Sequence, residues 1–201
     1  MTKVLAIQSS LSGEKGQSSQ LIAHFLSSLP AGTEVLTRDV VSQPLPFLAM
    51  TEMGSWMTAT TERTAEQQDL AALSDTAIAE VSAADLLVVA APMYNFAIPA
   101  QLKAWLDRLA RAGITFKYTE QGPVGLLADK PVIIVLSRGG VHKGQPSDSQ
   151  VSFLTTFFNF IGLKNLHFVY AEGLNMGPDA AATALQSAKD QLSQLATQLL
   201  K

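Results

Sequence analysis

Residues 86–99 read LLVVAAPMYNFAIP. Leu86–Ala91 is apolar at every position, so both faces of this segment avoid water. That is the pattern of a central strand in a parallel sheet covered by helices on both sides. Pro99 suits the first turn of a helix, which has no use for the missing N–H. Leu102, Trp105, Leu106 and Leu109 then continue at helical spacing. The stretch therefore reads as strand, loop and helix, with the loop leaving the strand at its C-terminal end.

The same alternation extends in both directions. Upstream, Val4–Ile7 reads as a buried strand, Ser18–Leu29 as a helix ended by Pro30 and Gly32, and Val35–Val41 as a second strand. Thr64–Ala84 reads as a long helix with Leu70, Leu73, Ala77, Ile78 and Val81 on one stripe. Downstream, β-forming residues around Gln121-Gly122-Pro123 predict a small hairpin within 115–127. Pro131–Ser137 is a further strand, Phe153–Ile161 a helix, Leu166–Tyr170 a fifth strand, and Leu185, Ala188, Leu192, Leu195 and Leu199 mark a last helix. Strands and helices in this order predict an α/β fold: a five-stranded parallel sheet with helices on both faces, one domain over residues 1–201. Pro44 to Thr64 shows no regular pattern and reads as an irregular loop. Its Phe47, Leu48, Met50, Met53, Trp56 and Met57 are too apolar for open solvent. They should cover something, either this chain's core or a subunit contact or lid.

Composition narrows the chemistry. The 201 residues are 47% apolar and 15% charged, with a net charge of −3. No basic footprint for nucleic acid and no polybasic membrane patch is present. Without cysteine there is no disulfide, thiol nucleophile, iron–sulfur cluster or cysteine-held zinc. Three histidines without an HExxH pair make a histidine-built metal site unexpected. The first apolar run is too short for a signal peptide, and none approaches the roughly 20 residues of a membrane span. A cytoplasmic protein is expected.

In an open parallel sheet, ligands bind beyond the C-terminal ends of the strands. Three loops leave that edge. The first, Ser9 to Ser19, gathers hydroxyls, glycines and free N–H groups at a helix N-terminus, which suits phosphate. It also reads as a plain helix start capped by Ser18 or Ser19. Its glycine spacing is neither that of a Walker loop nor GxGxxG, although Asp39 lies near the end of strand two. The second, Met93-Tyr94-Asn95-Phe96, offers aromatic rings and an amide to a flat ligand, or simply packs on the next helix. The third, Ser137-Arg138-Gly139-Gly140-Val141-His142, lets backbone approach a ligand closely, or is a surface turn. Together they describe a site for a mononucleotide with a planar heterocycle.

The run APMYNFAIPAQLKAWLDRLARAGITFKYTEQGPVGL, followed by SRGGVH and FNFIGL…YAEG, closely resembles the FMN-dependent, NADH-using azoreductases of bacteria, which are flavodoxin-like quinone reductases. The similarity runs from the first strand to the last helix. It implies a homodimer with FMN at the subunit interface, reducing quinones and azo compounds by a ping-pong route through flavin N5, with NADH as donor. By position it implies that Ser10, Gly16, Gln17 and Ser18 hold the phosphate and ribityl chain. Met93, Tyr94, Asn95 and Phe96 would line the ring, and Ser137, Arg138, Gly139 and Gly140 would close its pyrimidine side. His142 would stabilise the flavin anion, and Tyr118 and Phe160 would shape the substrate slot. Members often carry Ser where this chain has Gly16. The residues leave NADH against NADPH open: an arginine at the cofactor mouth, such as Arg63 or Arg138, would favour the extra phosphate, and the sequence places neither. A flavodoxin-type one-electron carrier, a reductase of nitroaromatics and a nucleotide hydrolase are the competing readings. The mild charge and the apolar 44–64 segment argue against the first. For the last, no base and metal-carboxylate cluster stands near the phosphate loop.

Overall fold

Alternate residues of the central strands are committed to opposite faces, and this is what builds two helical layers. The computed structural model describes residues 1–200. Five parallel strands, β1 (Lys3–Gln8), β2 (Glu34–Asp39), β3 (Leu86–Ala90), β6 (Val132–Ser137) and β7 (Leu166–Ala171), lie in the order β2-β1-β3-β6-β7. β4 (Phe116–Thr119) and β5 (Gly122–Gly125) form the separate antiparallel hairpin. Val4, Ala6, Val88, Ala90, Ile133 and Val135 pack with α1 (Gln17–Ser27) and α6 (Pro178–Leu199) through Leu21, Ile22, Phe25, Ala188 and Leu192. Leu5, Ile7, Leu87, Val89, Ile134 and Leu136 face the other way. There they meet α3 (Ala65–Ala83), α4 (Ala100–Leu109) and α5 (Ser149–Ile161) through Ile78, Val81, Trp105, Leu106, Leu154 and Phe158. β1 pairs with β2 on one side and β3 on the other, so the chain changes direction across the sheet there. This reversal opens a crevice beyond the C-terminal ends of β1 and β3. No helix is long and apolar enough to cross a membrane among the described residues.

The structure corrects the reading of residues 44–64. An α-helix, α2 (Met50–Met57), interrupts that loop. Its Gly54, Thr51 and Ser55 are weak helix formers and it lacks a side-chain N-cap, which hid it. Tertiary contacts make up the difference. Glu52 and Arg108 form a buried ion pair at 2.6 Å, tying α2 to α4. Arg63 Nε donates to the carbonyls of Ser55 (2.9 Å) and Thr58 (3.2 Å), satisfying acceptors at the helix end. Phe47, Met50 and Met57 still project outward at 79%, 73% and 79% exposure, so they cover nothing within this chain.

Candidate active site

β1 ends in two serines with different duties. Ser9 Oγ donates to Ala90 O at 2.6 Å, which locks the ends of β1 and β3 together. Ser10 Oγ lies 3.5 Å from the Tyr94 hydroxyl and accepts the Ser12 amide at 3.3 Å. The Tyr94 hydroxyl also accepts the Leu11 amide at 3.1 Å, so the first two loops are joined. Gly16, in extended conformation, is the N-cap of α1. The capping role expected of Ser18 or Ser19 therefore falls to a residue without a side chain, and those serines enter the helix as its second and third residues. The amides of Gln17, Ser18 and Ser19 have no acceptor among the described residues; the first intrahelical bond runs from Gln20 N to Gly16 O. Ser18 is fully buried and its Oγ has no partner. A buried hydroxyl beside three unspent helix amides fits an anionic oxygen. A cleft of about 360 Å³ adjoins this cradle, between Gln8, Ser10, Glu14, Ser19, Thr37 and Asp39. Burial pushes the Asp39 carboxyl up, but the Ser42 and Val41 amides outweigh it and hold it below the usual carboxylate range.

The second loop is strained. Tyr94 and Ala97 exchange both backbone hydrogen bonds, at 2.9 and 3.0 Å, around Asn95 (φ 50°) and Phe96 (φ 66°). Two left-handed residues in a two-residue hairpin are the geometry for which glycine is usual. Asn tolerates it; Phe does so at a cost. The turn leaves the Asn95 and Phe96 amides without acceptors among the described residues and Phe96 exposed. The Ser149 hydroxyl at the start of α5 donates to Phe96 O and braces it.

The third loop is clamped from one side. The carbonyls of Arg138, Gly139 and Gly140 accept the amides of Leu174, Asn175 and Gly173 at 3.2, 3.0 and 2.9 Å. The Gly139 and Gly140 amides remain without acceptors among the described residues. A Cβ on Gly139 would come within 2.5 Å of Asn175 Nδ2, so any side chain there would have to displace the Asn175 amide. His142 Nδ1 lies 2.9 Å from Ser147 Oγ, and its ring meets Phe96 edge-on with centroids 5.8 Å apart. Ser10, Gly16, Ser18, Met93–Phe96, Ser137, Gly139, Gly140 and His142 are thus gathered at one sheet edge, with exposed Gln17 at its margin.

Arg138 does not follow its neighbours. Its side chain is buried, with Nε, Nη1 and Nη2 bonded to Gln150, Glu172 and Asp148, so it cannot reach across a cofactor. Arg63 is likewise spent on backbone carbonyls and Asp75. Neither arginine side chain is therefore free to meet the adenosine 2′-phosphate that distinguishes NADPH from NADH. Tyr118 and Phe160 are also apart from the ledge. Both pack on Phe116, at 5.5 and 4.2 Å between centroids. Phe160 stands eleven residues along α5 from Ser149, about 16 Å at the rise of a helix. The spacing of motifs carried no signal for Asp148, Gln150 and Glu172; only the rule that a buried arginine needs partners points to them.

The chain matches a family described as a flavodoxin-like fold over residues 2–196. It is 52% identical over 198 residues to an FMN-dependent NADH:quinone oxidoreductase of Cellvibrio japonicus, covering 96% of this chain and 98% of the relative. It is 46% identical to a protein of the same name from Vibrio parahaemolyticus, covering 98% and 100%. An azoreductase from Bacillus anthracis superposes with a TM-score of 0.89 at 30% identity, covering 98% of this chain and 100% of that one. An FMN-dependent NADH-azoreductase from the same species, solved in complex with FMN, does so with a TM-score of 0.88 at 25% identity over 100% of both chains.

Proposed function

Since this chain belongs to the flavodoxin-like fold family, we propose that it is an FMN-dependent oxidoreductase carrying two electrons from NADH to quinones or azo compounds. The observation that carries this is the set of unspent N–H groups on three loops of one sheet edge, beside the unpartnered Ser18 hydroxyl. When bound, FMN supplies hydride acceptance at N5 and two-electron delivery to the acceptor. The α1 amides and the positive end of its dipole would hold the phosphate. Ser10 and Gly16 form the floor of that cradle, with Gln17 at its rim. Met93, Tyr94, Asn95 and Phe96 would flank the ring. The Gly139 and Gly140 amides would meet its pyrimidine side, where charge develops, at little reorganisation because the 173–175 turn already fixes them. Ser147 orients the His142 ring, leaving Nε2 toward Gly140.

Donor and acceptor use one open face in turn, which supports a ping-pong order. A homodimer accounts for Tyr118 and Phe160: a second copy would bring these aromatic side chains, which pack on Phe116 in their own chain, to the ledge. A cytoplasmic place, where NADH is regenerated, fits this reading. The test is anaerobic addition of NADH to FMN-loaded protein. The visible flavin band should bleach within the turnover time and return on adding a quinone or azo dye. A bound flavin that stays oxidised would mark a one-electron carrier instead.

A further inference from the structure

Arg138 is 1% exposed, and each guanidinium nitrogen meets a different part of the site. Nε donates to Gln150 Oε1 at 3.0 Å. Gln150 Nε2 in turn donates to the carbonyls of Ala91 and Pro92, at 3.1 and 3.2 Å, just before the strained turn. Nη2 donates to Asp148 Oδ1 at 2.6 Å. Asp148 caps α5, whose first residue, Ser149, braces Phe96 O. Nη1 donates to Glu172 Oε1 at 2.9 Å, and that same oxygen accepts the His142 and Lys143 amides at 2.9 and 3.0 Å. The residue after Glu172, Gly173, holds Gly140 O. Both ring-edge loops and His142 are therefore one side chain away from a single guanidinium.

The cluster is charged as well as connected. One buried cation and two carboxylates, with side chains 0%, 9% and 11% exposed, sum to −1 beneath the ledge; the Lys143 ammonium, 4.5 Å from the Tyr170 ring centroid, stands at the cluster's margin. Screening by water is weak there.

We propose that Arg138, Asp148 and Glu172 form a positioning hub that fixes the ring ledge and sets how strongly the site prefers oxidised over reduced FMN. This rests on the FMN reading above. The rigid fork of arginine holds three acceptors in fixed directions, which a lysine ammonium cannot do. The surplus carboxylate charge opposes the negative charge that reduction places on the flavin.

The test compares Glu172→Gln, Asp148→Asn and Arg138→Lys with wild type. The affinity for oxidised FMN, the flavin midpoint potential and the melting temperature are measured for each. Glu172→Gln keeps an acceptor oxygen and the shape but removes the charge. It should tighten reduced relative to oxidised FMN about tenfold, a rise of about 30 mV for a two-electron couple. Asp148→Asn should shift the potential in the same direction. Arg138→Lys keeps the charge and loses the fork, so it should weaken oxidised FMN about tenfold, about 1.4 kcal/mol, with little change in potential. A residue that merely stabilised the fold would lower melting in all three without moving the potential. Wild-type binding of FMN with unmoved potentials in both acid variants, or with Arg138→Lys binding as wild type, overturns the hub alone. Wild-type protein that takes up no FMN overturns the functional reading and the hub with it.

Discussion

Gly16 sits so close to Ser10 that a side chain there would force the serine or its loop to shift. A Cβ built there overlaps both Oγ and Cβ of that serine, so the first turn of α1 and the Ser10 side chain share one space. Gly16→Ala should cost about 1–3 kcal/mol in urea denaturation, the usual range for overpacking. Ser10→Gly in the same chain should recover most of that loss, which a simple helix-propensity effect would not allow. Phe96 carries the opposite liability, because its φ of 66° suits glycine. Phe96→Gly should raise the stability of flavin-free protein by a few tenths to about 1 kcal/mol, the left-handed strain relieved less the entropy of glycine. Titration with FMN should show weaker binding, since the exposed ring is lost. The sequence motif MYNF pointed to a ring edge, but nothing in Asn-Phe beyond the asparagine announces a left-handed turn. Arg138 was misread for a related reason. It stands between Ser137 and Gly139, and only tertiary packing shows that its side chain turns inward.

At the scale of elements, α2 depends on a pair that no local pattern reveals. Glu52 and Arg108 lie 56 residues apart, and each keeps one polar atom unpartnered, Glu52 Oε1 and Arg108 Nε. Removing one partner strands a buried charge. Glu52→Ala should therefore cost about 3–5 kcal/mol, while Glu52→Leu with Arg108→Met should stay near wild type. Thermal melts of the two variants decide between them. The strands were legible because full burial demands unbroken apolar runs; α3 was legible from its stripe, and the structure adds the Thr64–Gln67 capping box that starts it. α2 was not, because its stability comes from α4 rather than from its own residues. Asp129 shows the same kind of bond between elements: Oδ1 accepts the Lys164 and Asn165 amides at 2.7 and 3.1 Å, fixing the approach to β7. Burial pushes this carboxyl up, but those amides, that of Lys130 and the Lys164 charge prevail and hold it below 3.8. A lowered folded value means stability that is complete above pH 3.8 and lost as pH falls through the folded value. Acid denaturation of Asp129→Asn should accordingly be flatter below pH 4 than wild type, with lower stability at pH 7.

The whole molecule presents an open ledge, while the two aromatic residues proposed for its substrate slot pack on Phe116. Tyr118 is 74% exposed on the hairpin, and Phe47, Met50 and Met57 add apolar surface that the chain does not cover. The proposed homodimer would account for both: two chains related by a two-fold axis, each giving Tyr118 to the other's ledge. Mixing experiments separate this from a complete site within one chain. Gly139→Leu would spoil the ledge by collision with Asn175, and Tyr118→Asp would spoil the slot. If Tyr118 acts across an interface, a mixed dimer holds one site with both defects and one site with neither. Random exchange makes about half the dimers mixed, each with one sound site of two, so quinone reduction should return to about a quarter of the wild-type rate per chain. A single-chain site gives only the sum of the two weak variants. Sedimentation of the wild-type protein at twice its 21.4 kDa chain mass would be necessary for the first outcome, and a 21.4 kDa particle would exclude it.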